Sequence, residues 1–249
     1  MKPRIAIPLP HSGEPEYAQR AIPQYERAVE LSGAEPVRIP LDRTPAEVMK
    51  LIERCDAVLL PGSKADVDPA KYFAERHAKT EAPDPKRDTV DELLLQDAYN
   101  MRKPVLGICY GLQILNVYRT GTLLQHIETG VNHEAGRNIT VAHDVEVVPG
   151  SKLAEILDAT PGTMLPVNSS HHQSAEVVGD GLRIVARCTR DGVIEAIEGT
   201  SPDHFVLAVQ WHPERSFDDD ANSRKIFSAL VQAAAKRHDQ LVSEFEGTH

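Results

Sequence analysis

Short apolar runs alternate with helix-like segments through the first half of the chain, and this alternation leaves few folds open. The runs are too short for buried helices and are rich in Val, Ile and Leu, which is typical of strands covered on both faces. Repeated strand–helix units predict an α/β protein whose parallel sheet carries helices on both sides. The runs are RIAIPLP (4–10), EPVRIPL (35–41), DAVLLPG (56–62) and PVLGIC (104–109).

The segments between these runs place apolar residues three and four positions apart, as one face of a helix requires. The closing segment of the chain shows the same spacing, and Gly33 is a stop signal for the first helix. The predicted inner faces are Tyr17, Ala21, Ile22, Tyr25, Ala28 and Val29; Val48, Leu51 and Ile52; Val90, Leu93, Leu94, Asp97, Ala98 and Met101; and Ile226, Phe227, Leu230, Val231 and Ala234.

The second half of the chain changes character, because two segments alternate apolar and polar residues with a period of two. Segments 139–148 (ITVAHDVEVV) and 182–188 (LRIVARC) therefore predict a smaller antiparallel portion. The nearly continuous apolar run 204–214 (HFVLAVQWHPE) is expected to return to the main sheet. No internal repeat and no clear linker interrupts the chain, so we predict one domain over residues 1–249.

The net charge and the cysteine content limit the classes of binding partner and the cellular compartment that we expect for this protein. The net charge of −10 argues against a nucleic-acid or anionic-membrane partner, since those surfaces select an excess of Lys and Arg. No apolar stretch approaches the roughly 20 residues that span a bilayer, and the N-terminus lacks a signal-peptide pattern. Cys55, Cys109 and Cys188 are too few and too scattered for a disulfide framework. We therefore predict a cytoplasmic protein in a reducing compartment.

The sequence GICYG, with Cys109 at its centre, lies where an apolar run meets a helix-like segment. Small residues on either side of a nucleophile let strand and helix backbones approach closely, and the turn holds the nucleophile outside the sheet. A helix N-terminus and a neighbouring imidazolium would favour the reactive thiolate. Cys109 is thus a candidate nucleophile, with a buried structural thiol as the common alternative. Cys55 and Cys188 lack flanking glycines, and we assign them that structural role.

A base and an orienting acid are available in QWHPE, at the end of the last apolar run. Extended chain places alternate side chains on one face, so His212 and Glu214 are predicted to project together. Their pairing would let the carboxylate orient the imidazole beside a cysteine nucleophile. The alternative is a turn residue followed by a surface acid.

Other polar segments contain residues that could lie at the edge of the site, and several of the remaining histidines. The segment 63–86 is long and follows an apolar run that ends in Pro-Gly, so we expect it to border the ligand site. His171 and His172 in VNSSHHQS could be ligands or part of a binding loop. No His, Asp or Glu at metal-site spacing accompanies them, so we expect no metal site. His143 lies on the apolar face of its alternating segment, which favours a core histidine.

The stretches LLPGSKADVDP, GICYGLQ and VQWHPE, in this order, resemble the class I glutamine amidotransferase superfamily. NSSHHQS and ADVDPAKY favour its γ-glutamyl hydrolase branch, the C26-type cysteine peptidases. The resemblance runs from RIAIPLP to the last predicted helix. It implies a flavodoxin-like three-layer α/β sandwich with a mostly parallel central sheet, a smaller antiparallel β subregion and a Cys-His-Glu triad.

Matched residue by residue, the resemblance makes Cys109 the nucleophile, His212 the general base and acid, and Glu214 its orienting partner. It implies an oxyanion hole formed by the backbone N–H groups of Tyr110 and Gly62. The role of the Tyr110 side chain stays open at this point. The implied substrate contacts are Gln113, Asn168, Ser169, Ser170 and His171.

Two positions depart from the family pattern. Where many relatives have Pro-Gly-Gly, this chain has Pro-Gly-Ser at 61–63, so a glycine-only conformation at residue 63 would be strained. Where relatives commonly carry Gly-Gly-Thr-Leu after the nucleophile helix, residues 120–123 are Thr-Gly-Thr-Leu. Neither change touches the triad, and both bear on the specificity for the leaving group.

The implied activity is hydrolysis of a γ-glutamyl amide, that of γ-glutamyl-γ-aminobutyrate or a related conjugate, through a thioester to Cys109. Glutamate and an amine would be released, with a small γ-glutamyl substrate and no organic cofactor. A homodimer is compatible with a compact α/β enzyme. One alternative is a glutaminase or γ-glutamyl transferase acting with a partner or acceptor, although no synthetase domain is expected within these 249 residues. Another is a non-catalytic small-molecule binding protein, against which an intact triad argues.

Overall fold

The computed structural model describes residues 2–246 of the chain, with side chains up to residue 240. The strands, in chain order, are β1 Arg4–Pro8, β2 Glu35–Ile39, β3 Ala57–Leu60, β4 Val105–Ile108, β5 Leu123–Leu124, β6 His143–Val147, β7 Met164–Val167, β8 Ser174–Ala175, β9 Leu182–Cys188, β10 Ile194–Gly199 and β11 Val206–Val209. The α-helices are α1 Pro15–Leu31, α2 Pro45–Ile52, α3 Pro85–Met101, α4 Tyr110–Tyr118, α5 Lys152–Leu157, α6 Pro213–Ser216 and α7 Ala221–Glu246, and a 3₁₀ turn spans Pro69–Tyr72.

Within the described residues, one large sheet has the strand order β2-β1-β3-β4-β11-β10-β9-β6-β7. The strands from β2 to β11 in this order pair in parallel, and the sheet continues beyond β11 in antiparallel pairs. Strands β5 and β8 form a separate antiparallel pair. The predicted α/β class, with a parallel portion and an antiparallel one, is confirmed, as is the return of the apolar run after residue 204 to the main sheet. The antiparallel strands are continuous with that sheet, because β10 pairs directly with β11.

Both faces of the parallel portion are buried, which explains why its strands are apolar without alternation. Successive side chains of β1 point to opposite faces. Ile5 and Ile7 pack in the core shared with α1 and α7, and Ala6 packs in the core shared with α2, α3 and α4. On β3, Leu59 packs in the first of these cores and Leu60 packs in the second. Helices therefore cover the sheet on both sides, which gives the three predicted layers.

The predicted helices form, and their ends have local causes. Helix α1 ends before Gly33, whose φ of +100° suits glycine. Helix α2 begins with a capping box, in which Thr44 and Glu47 each accept the other's backbone N–H. One predicted inner residue is wrong: Met101 is 53% exposed, because α3 ends there with Arg102 in the left-handed conformation.

The predicted strand over residues 139–148 is wrong at its start, because β6 begins only at His143. Ile139 and Val141 are 45% and 56% exposed. The partner strand β7 ends at Val167, opposite His143, so the residues before β6 have no ladder to extend. His143 itself is buried, as predicted.

No pattern in the sequence predicts strand β10, because Glu195 and Glu198 interrupt its apolar residues. Both acids are nonetheless buried, at 0% and 1% exposed. Glu198 accepts the backbone N–H groups of Lys152 and Leu153 at the start of α5, which satisfies donors that a helix leaves unpaired. In the sequence, a buried acid whose partners are distant looks the same as a surface acid. The apolar and polar pattern therefore does not predict strand β10.

Helix α7 is the longest described helix, and charged residues recur along it. Among the described residues, none of the helices combines the length and the apolar character that crossing a bilayer requires.

Candidate active site

Cys109 lies in the turn between strand β4 and helix α4, as the Gly-x-Cys-x-Gly pattern predicts. Its φ of +54° and ψ of −105° are unusual for a residue with a side chain, and such strain is concentrated at functional turns. A Cβ on Gly107 would lie 2.7 Å from the Gly111 carbonyl oxygen, and a Cβ on Gly111 would lie 2.1 Å from the Leu60 carbonyl oxygen. Both glycines are therefore required by the close approach of β3, β4 and α4, which presents the thiol beyond the strand end.

His212 and Glu214 form the predicted pair, with His212 Nδ1 2.7 Å from Glu214 Oε1 and both side chains buried. The predicted reason is wrong, because strand β11 ends at Val209 and the pair lies at the start of helix α6 rather than in extended chain. Because His212 Nδ1 is hydrogen-bonded to the Glu214 carboxylate, His212 Nε2 is the nitrogen that remains available for proton transfer.

Asn168 holds the backbone of His212. Its Nδ2 donates to the His212 carbonyl at 2.9 Å, and its Oδ1 accepts the His212 N–H at 2.9 Å. Ser169 is also turned away, since it is fully buried and its hydroxyl donates to the His133 carbonyl at 2.8 Å. Asn168 and Ser169, which the resemblance implies as substrate contacts, thus have protein hydrogen-bond partners in this structure.

Cys109 and His212 line one cleft, whose volume is about 360 Å³. Gln113, Ser170 and His171 line the same cleft, so these implied substrate contacts lie where a ligand could reach them. The structure thus brings the nucleophile and base candidates together with part of the implied binding set.

The polar segment 63–86 borders this cleft, as predicted. Lys64, Asp66 and Glu81 are among the residues that line it. The last residues of the segment belong to helix α3, which begins at Pro85. The segment therefore supplies one charged wall of the cleft.

Arg215 is a candidate functional residue that sequence reasoning missed. It lines the cleft, its Nη1 donates to Ser170 Oγ at 2.7 Å, and its Nε lies 3.6 Å from Glu214 Oε1. Its position directly after QWHPE was the available signal. Together with Lys64, it places two cations in a cleft that also contains Asp66.

Gly62 lies between the two catalytic candidates. A Cβ added to it would lie 3.1 Å from His212 Cε1 and 3.7 Å from Cys109 Cβ, so a side chain there would fill the space between them. The Gly62 N–H donates to the Tyr25 hydroxyl at 3.1 Å. This implied oxyanion donor is therefore already engaged inside the protein.

Burial dominates the protonation of the candidate triad. It raises the pKa of the Cys109 thiol to about 12, with Arg215 opposing this shift and Glu214 adding to it. Burial also lowers the pKa of His212, against the attraction of Glu214. For Glu214, burial would raise the pKa, but His212 outweighs it and the pKa is lowered. Burial thus opposes the thiolate that the helix N-terminus and an imidazolium were expected to favour.

The Tyr110 side chain is engaged inside the protein. Its hydroxyl donates to Asp88 Oδ1 at 2.6 Å, and the Arg87 guanidinium lies 5.0 Å from its ring centroid. Arg87 pairs with Asp91 and donates to the Pro61 carbonyl at 2.8 Å. This buried group ties helix α3 to the Pro-Gly loop and to the residue after the nucleophile, so the Tyr110 side chain supports the site from behind.

Only one departure from the family pattern strains the backbone. Ser63 does not adopt a positive φ, so the strain considered for that position is absent. Thr120 has a φ of +70°, which a β-branched residue rarely adopts. The strain lies in the loop after helix α4, outside the cleft.

Replacing Thr120 with glycine is expected to stabilise the protein by about 1 kcal/mol, because relief of left-handed strain exceeds the added freedom of the unfolded chain. The midpoint of thermal unfolding should rise by about 3 °C for a chain of this size, which calorimetry would measure. Thr122→Gly is the matched control, since the Thr122 hydroxyl accepts the Val177 N–H and its loss should lower the midpoint. A lower midpoint for both variants would contradict the strain at Thr120.

Residues 7–214 match the Peptidase C26 family. A Mycobacterium tuberculosis protein, named provisionally as a glutamine amidotransferase, is 39% identical over 215 residues, which are 85% of this chain and 66% of that protein. The γ-glutamyl-γ-aminobutyrate hydrolase of Escherichia coli strain K12 is 32% identical over 220 residues, 84% of each chain.

A crystal structure shares the fold at low sequence identity. It is that of a Thermoplasma acidophilum protein named provisionally as a GMP synthase subunit, with a TM-score of 0.68 and 14% identity over 97% of this chain and 98% of that one. The family match includes both Cys109 and the His212–Glu214 pair. With this match over most of its length and relatives above 30% identity, the chain belongs to the Peptidase C26 family.

Proposed function

We propose that this protein is a cysteine hydrolase that cleaves a γ-glutamyl amide bond and releases glutamate and an amine. The observation that carries the proposal is that Cys109 and His212 line one cleft. Cys109 lies on a strained strand–helix turn, and His212 is hydrogen-bonded to Glu214. Membership of Peptidase C26 and the likeness to γ-glutamyl-γ-aminobutyrate hydrolase support the substrate class. The proposed substrate is γ-glutamyl-γ-aminobutyrate or a related conjugate.

In the first step, the Cys109 sulfur attacks the γ-carbonyl while His212 Nε2 takes the thiol proton. A thiol with a pKa of about 12 is not ionised at rest, so proton transfer accompanies the attack. Glu214 Oε1, 2.7 Å from Nδ1, fixes the tautomer and stabilises the imidazolium that forms.

The oxyanion that forms on the γ-carbonyl needs hydrogen-bond donors. In the proposed mechanism the Tyr110 N–H is one donor. The Gly62 N–H becomes the second when the Tyr25 hydroxyl releases it. This exchange is favourable, because an oxyanion donor is worth about 3 kcal/mol and an ordinary neutral hydrogen bond about 1 kcal/mol.

The intermediate then collapses to a thioester. His212 passes its proton to the amine nitrogen as the C–N bond breaks, and the amine leaves. A water molecule, deprotonated by the same histidine, attacks the thioester carbonyl and releases glutamate. The proton returns to the Cys109 sulfur, which restores the resting thiol.

The charges of the cleft suit the head group of a γ-glutamyl compound, which carries one ammonium and one carboxylate. Arg215 and Lys64 are placed to attract the carboxylate, and Asp66 and Glu134 to attract the ammonium. Both charges of the head group can therefore be matched within one cleft.

A glutaminase or γ-glutamyl transferase is the second candidate, favoured by the provisional name of the Mycobacterium tuberculosis relative. The isolated protein should be assayed for glutamate release from γ-glutamyl-γ-aminobutyrate and from glutamine, with hydroxylamine added as an alternative acceptor. Faster turnover of the γ-glutamyl amide supports the hydrolase. Glutamine turnover that exceeds it, or transfer that exceeds hydrolysis, would replace the hydrolase with the second candidate.

Trapping with a glutamine-like chloroketone separates both enzymes from a binding protein. We expect one label per chain, mapped by peptide mass spectrometry to Cys109, since Cys109 lines the cleft. A Cys55→Ser, Cys188→Ser double variant should label equally, because neither of those thiols lines the cleft. Labelling of Cys109 no faster than that of Cys55 or Cys188 would contradict a catalytic role.

The pH dependence of kcat/KM should show an acid limb with a midpoint below pH 6.5. His212 accepts the thiol proton only when neutral, and burial lowers its pKa, so the base stays competent to lower pH than a free histidine. No rise that tracks thiolate formation is expected near neutral pH, since the thiol pKa is about 12. Initial rates at constant ionic strength test this, and a midpoint well above 6.5 would exclude a buried neutral base.

A further inference from the structure

Three histidines converge on one buried carboxylate behind the cleft. Glu195 Oε1 on strand β10 lies 2.9 Å from His143 Nε2, 3.3 Å from His133 Nδ1 and 3.5 Å from His171 Nε2. All four side chains are buried, with Glu195 at 0% and the histidines at 5% or less exposed. The proposed hydrolysis uses none of His133, His143 and Glu195.

Hydrogen bonds alone account poorly for this convergence. A carboxylate can accept at both oxygens, yet the three nitrogens approach Oε1, and Glu195 Oε2 has no hydrogen-bond partner among the described residues. His133 Nδ1 and His171 Nε2 are likewise without a hydrogen bond in the described part of the chain, although both are directed at Oε1. Buried polar atoms left in this state indicate an absent partner.

His171 contacts the cluster from the side of the cleft. Its Nδ1 lies 2.9 Å from the Gln173 carbonyl oxygen, and its Nε2 is directed at Glu195 Oε1 at 3.5 Å. His171 thus connects the cluster to the cleft wall.

The distances match those between the ligands of a metal ion. Ligands at about 2.0–2.1 Å from zinc, at the corners of a tetrahedron, are about 3.3 Å apart. His143 Nε2 and His133 Nδ1, at 2.9 and 3.3 Å from Glu195 Oε1, lie around this value. The ligand atoms of His133, His143 and Glu195 also lie within 4.8 Å of one another.

The groups around the cluster are those that orient metal ligands. A ligating histidine commonly donates its second N–H to a carboxylate or a backbone carbonyl. His133 Nε2 lies 2.9 Å from Asp191 Oδ2, and Asp191 accepts the Thr129 hydroxyl at 2.6 Å. A cavity of about 320 Å³, lined by both His133 and His171, offers an access route for the ion.

We propose that His133, His143 and Glu195 bind one zinc ion behind the cleft. Imidazole and carboxylate donors suit zinc, and a water molecule would supply the fourth ligand. Because His171 is directed at Glu195 and also lines the cleft, the ion would connect one wall of the active site to strands β6 and β10.

The test is metal binding by the whole protein, which does not depend on activity. Protein stripped with a chelator and titrated with Zn²⁺ should bind one equivalent by elemental analysis. Its unfolding midpoint should rise by roughly 10 °C when zinc exceeds Kd by about 1,000-fold. Co²⁺ should give the visible spectrum of a tetrahedral site with nitrogen and oxygen ligands.

Variants assign the ligands. Glu195→Gln should weaken zinc binding by about 100-fold or more and abolish the Co²⁺ spectrum, whereas His126→Ala, outside the cluster, should leave both unchanged. His133, Cys188 and Asp191 form the competing set of donors, and a thiolate-to-Co²⁺ band lost in Cys188→Ser would move the ion there and overturn our assignment. Wild-type protein that takes up no metal and shows no shift in its unfolding midpoint would overturn the site altogether.

Discussion

Replacing Cys109 with alanine is expected to lower kcat/KM for γ-glutamyl hydrolysis by about 10⁴- to 10⁶-fold, because no thioester can form. Residual turnover would come only from binding and from the oxyanion donors. A coupled assay for glutamate, checked by mass spectrometry of the products, measures this loss. Unfolding by urea should show little change, since alanine keeps the backbone conformation and leaves a space of one sulfur atom at the edge of the cleft.

Cys55→Ala and Cys188→Ala are the controls for this result. Both thiols are buried, each at 2% exposed, and neither lines the cleft. These variants should lose some stability, as small deletions in a core do, and keep their kcat/KM. Retained hydrolysis in Cys109→Ala, or a loss of hydrolysis in either control with the fold intact, would contradict the assignment of the nucleophile.

Replacing Gly111 with alanine is expected to lower the free energy of unfolding by about 3 kcal/mol or more. The added Cβ would lie 2.1 Å from the Leu60 carbonyl oxygen. No side-chain rotation relieves this clash, because a Cβ is fixed to its own backbone and the atom that it meets is also backbone. Helix α4 would have to move away from β3, which would also displace Cys109. We therefore expect hydrolysis to fall along with stability, measured by urea unfolding and by kcat/KM on the folded fraction.

Gly130→Ala is the matched control, because a Cβ there meets no atom of the described residues within 4 Å, its chain neighbours aside, and Gly130 has no positive φ. It should leave both stability and hydrolysis unchanged. Wild-type stability in Gly111→Ala would show that the strand and helix can separate without cost, and would remove the packing argument for the second glycine of the turn.

The parts of the site that were predicted correctly depend on short stretches of sequence. The turn around Cys109 follows from glycines two residues away on each side, and the cleft border follows from a polar segment directly after β3. His212 and Glu214 were paired correctly for the wrong reason, because Pro213 begins a helix where extended chain was expected. Proximity in sequence ensured the contact under either conformation.

The parts that were missed depend on residues far apart in the chain. Asn168 was expected to contact substrate, but the fold brings it against His212, 44 residues away, where it makes two backbone hydrogen bonds. The Gly62 N–H meets the Tyr25 hydroxyl, which helix α1 supplies. Such partners have no local pattern, because tertiary packing alone sets which groups meet.

The sequence by itself determined the layered α/β fold, the turn that carries Cys109 and the family, because the periodicity of buried strands and helices and the glycines of a tight turn act between near neighbours. Only the tertiary structure decided the burial that raises the pKa of Cys109, the partner of Gly62 and the gathering of His133, His143 and His171 around Glu195. Those features depend on burial and on the distances between segments, and a free-energy cost such as desolvation is set only when the chain has packed around the group.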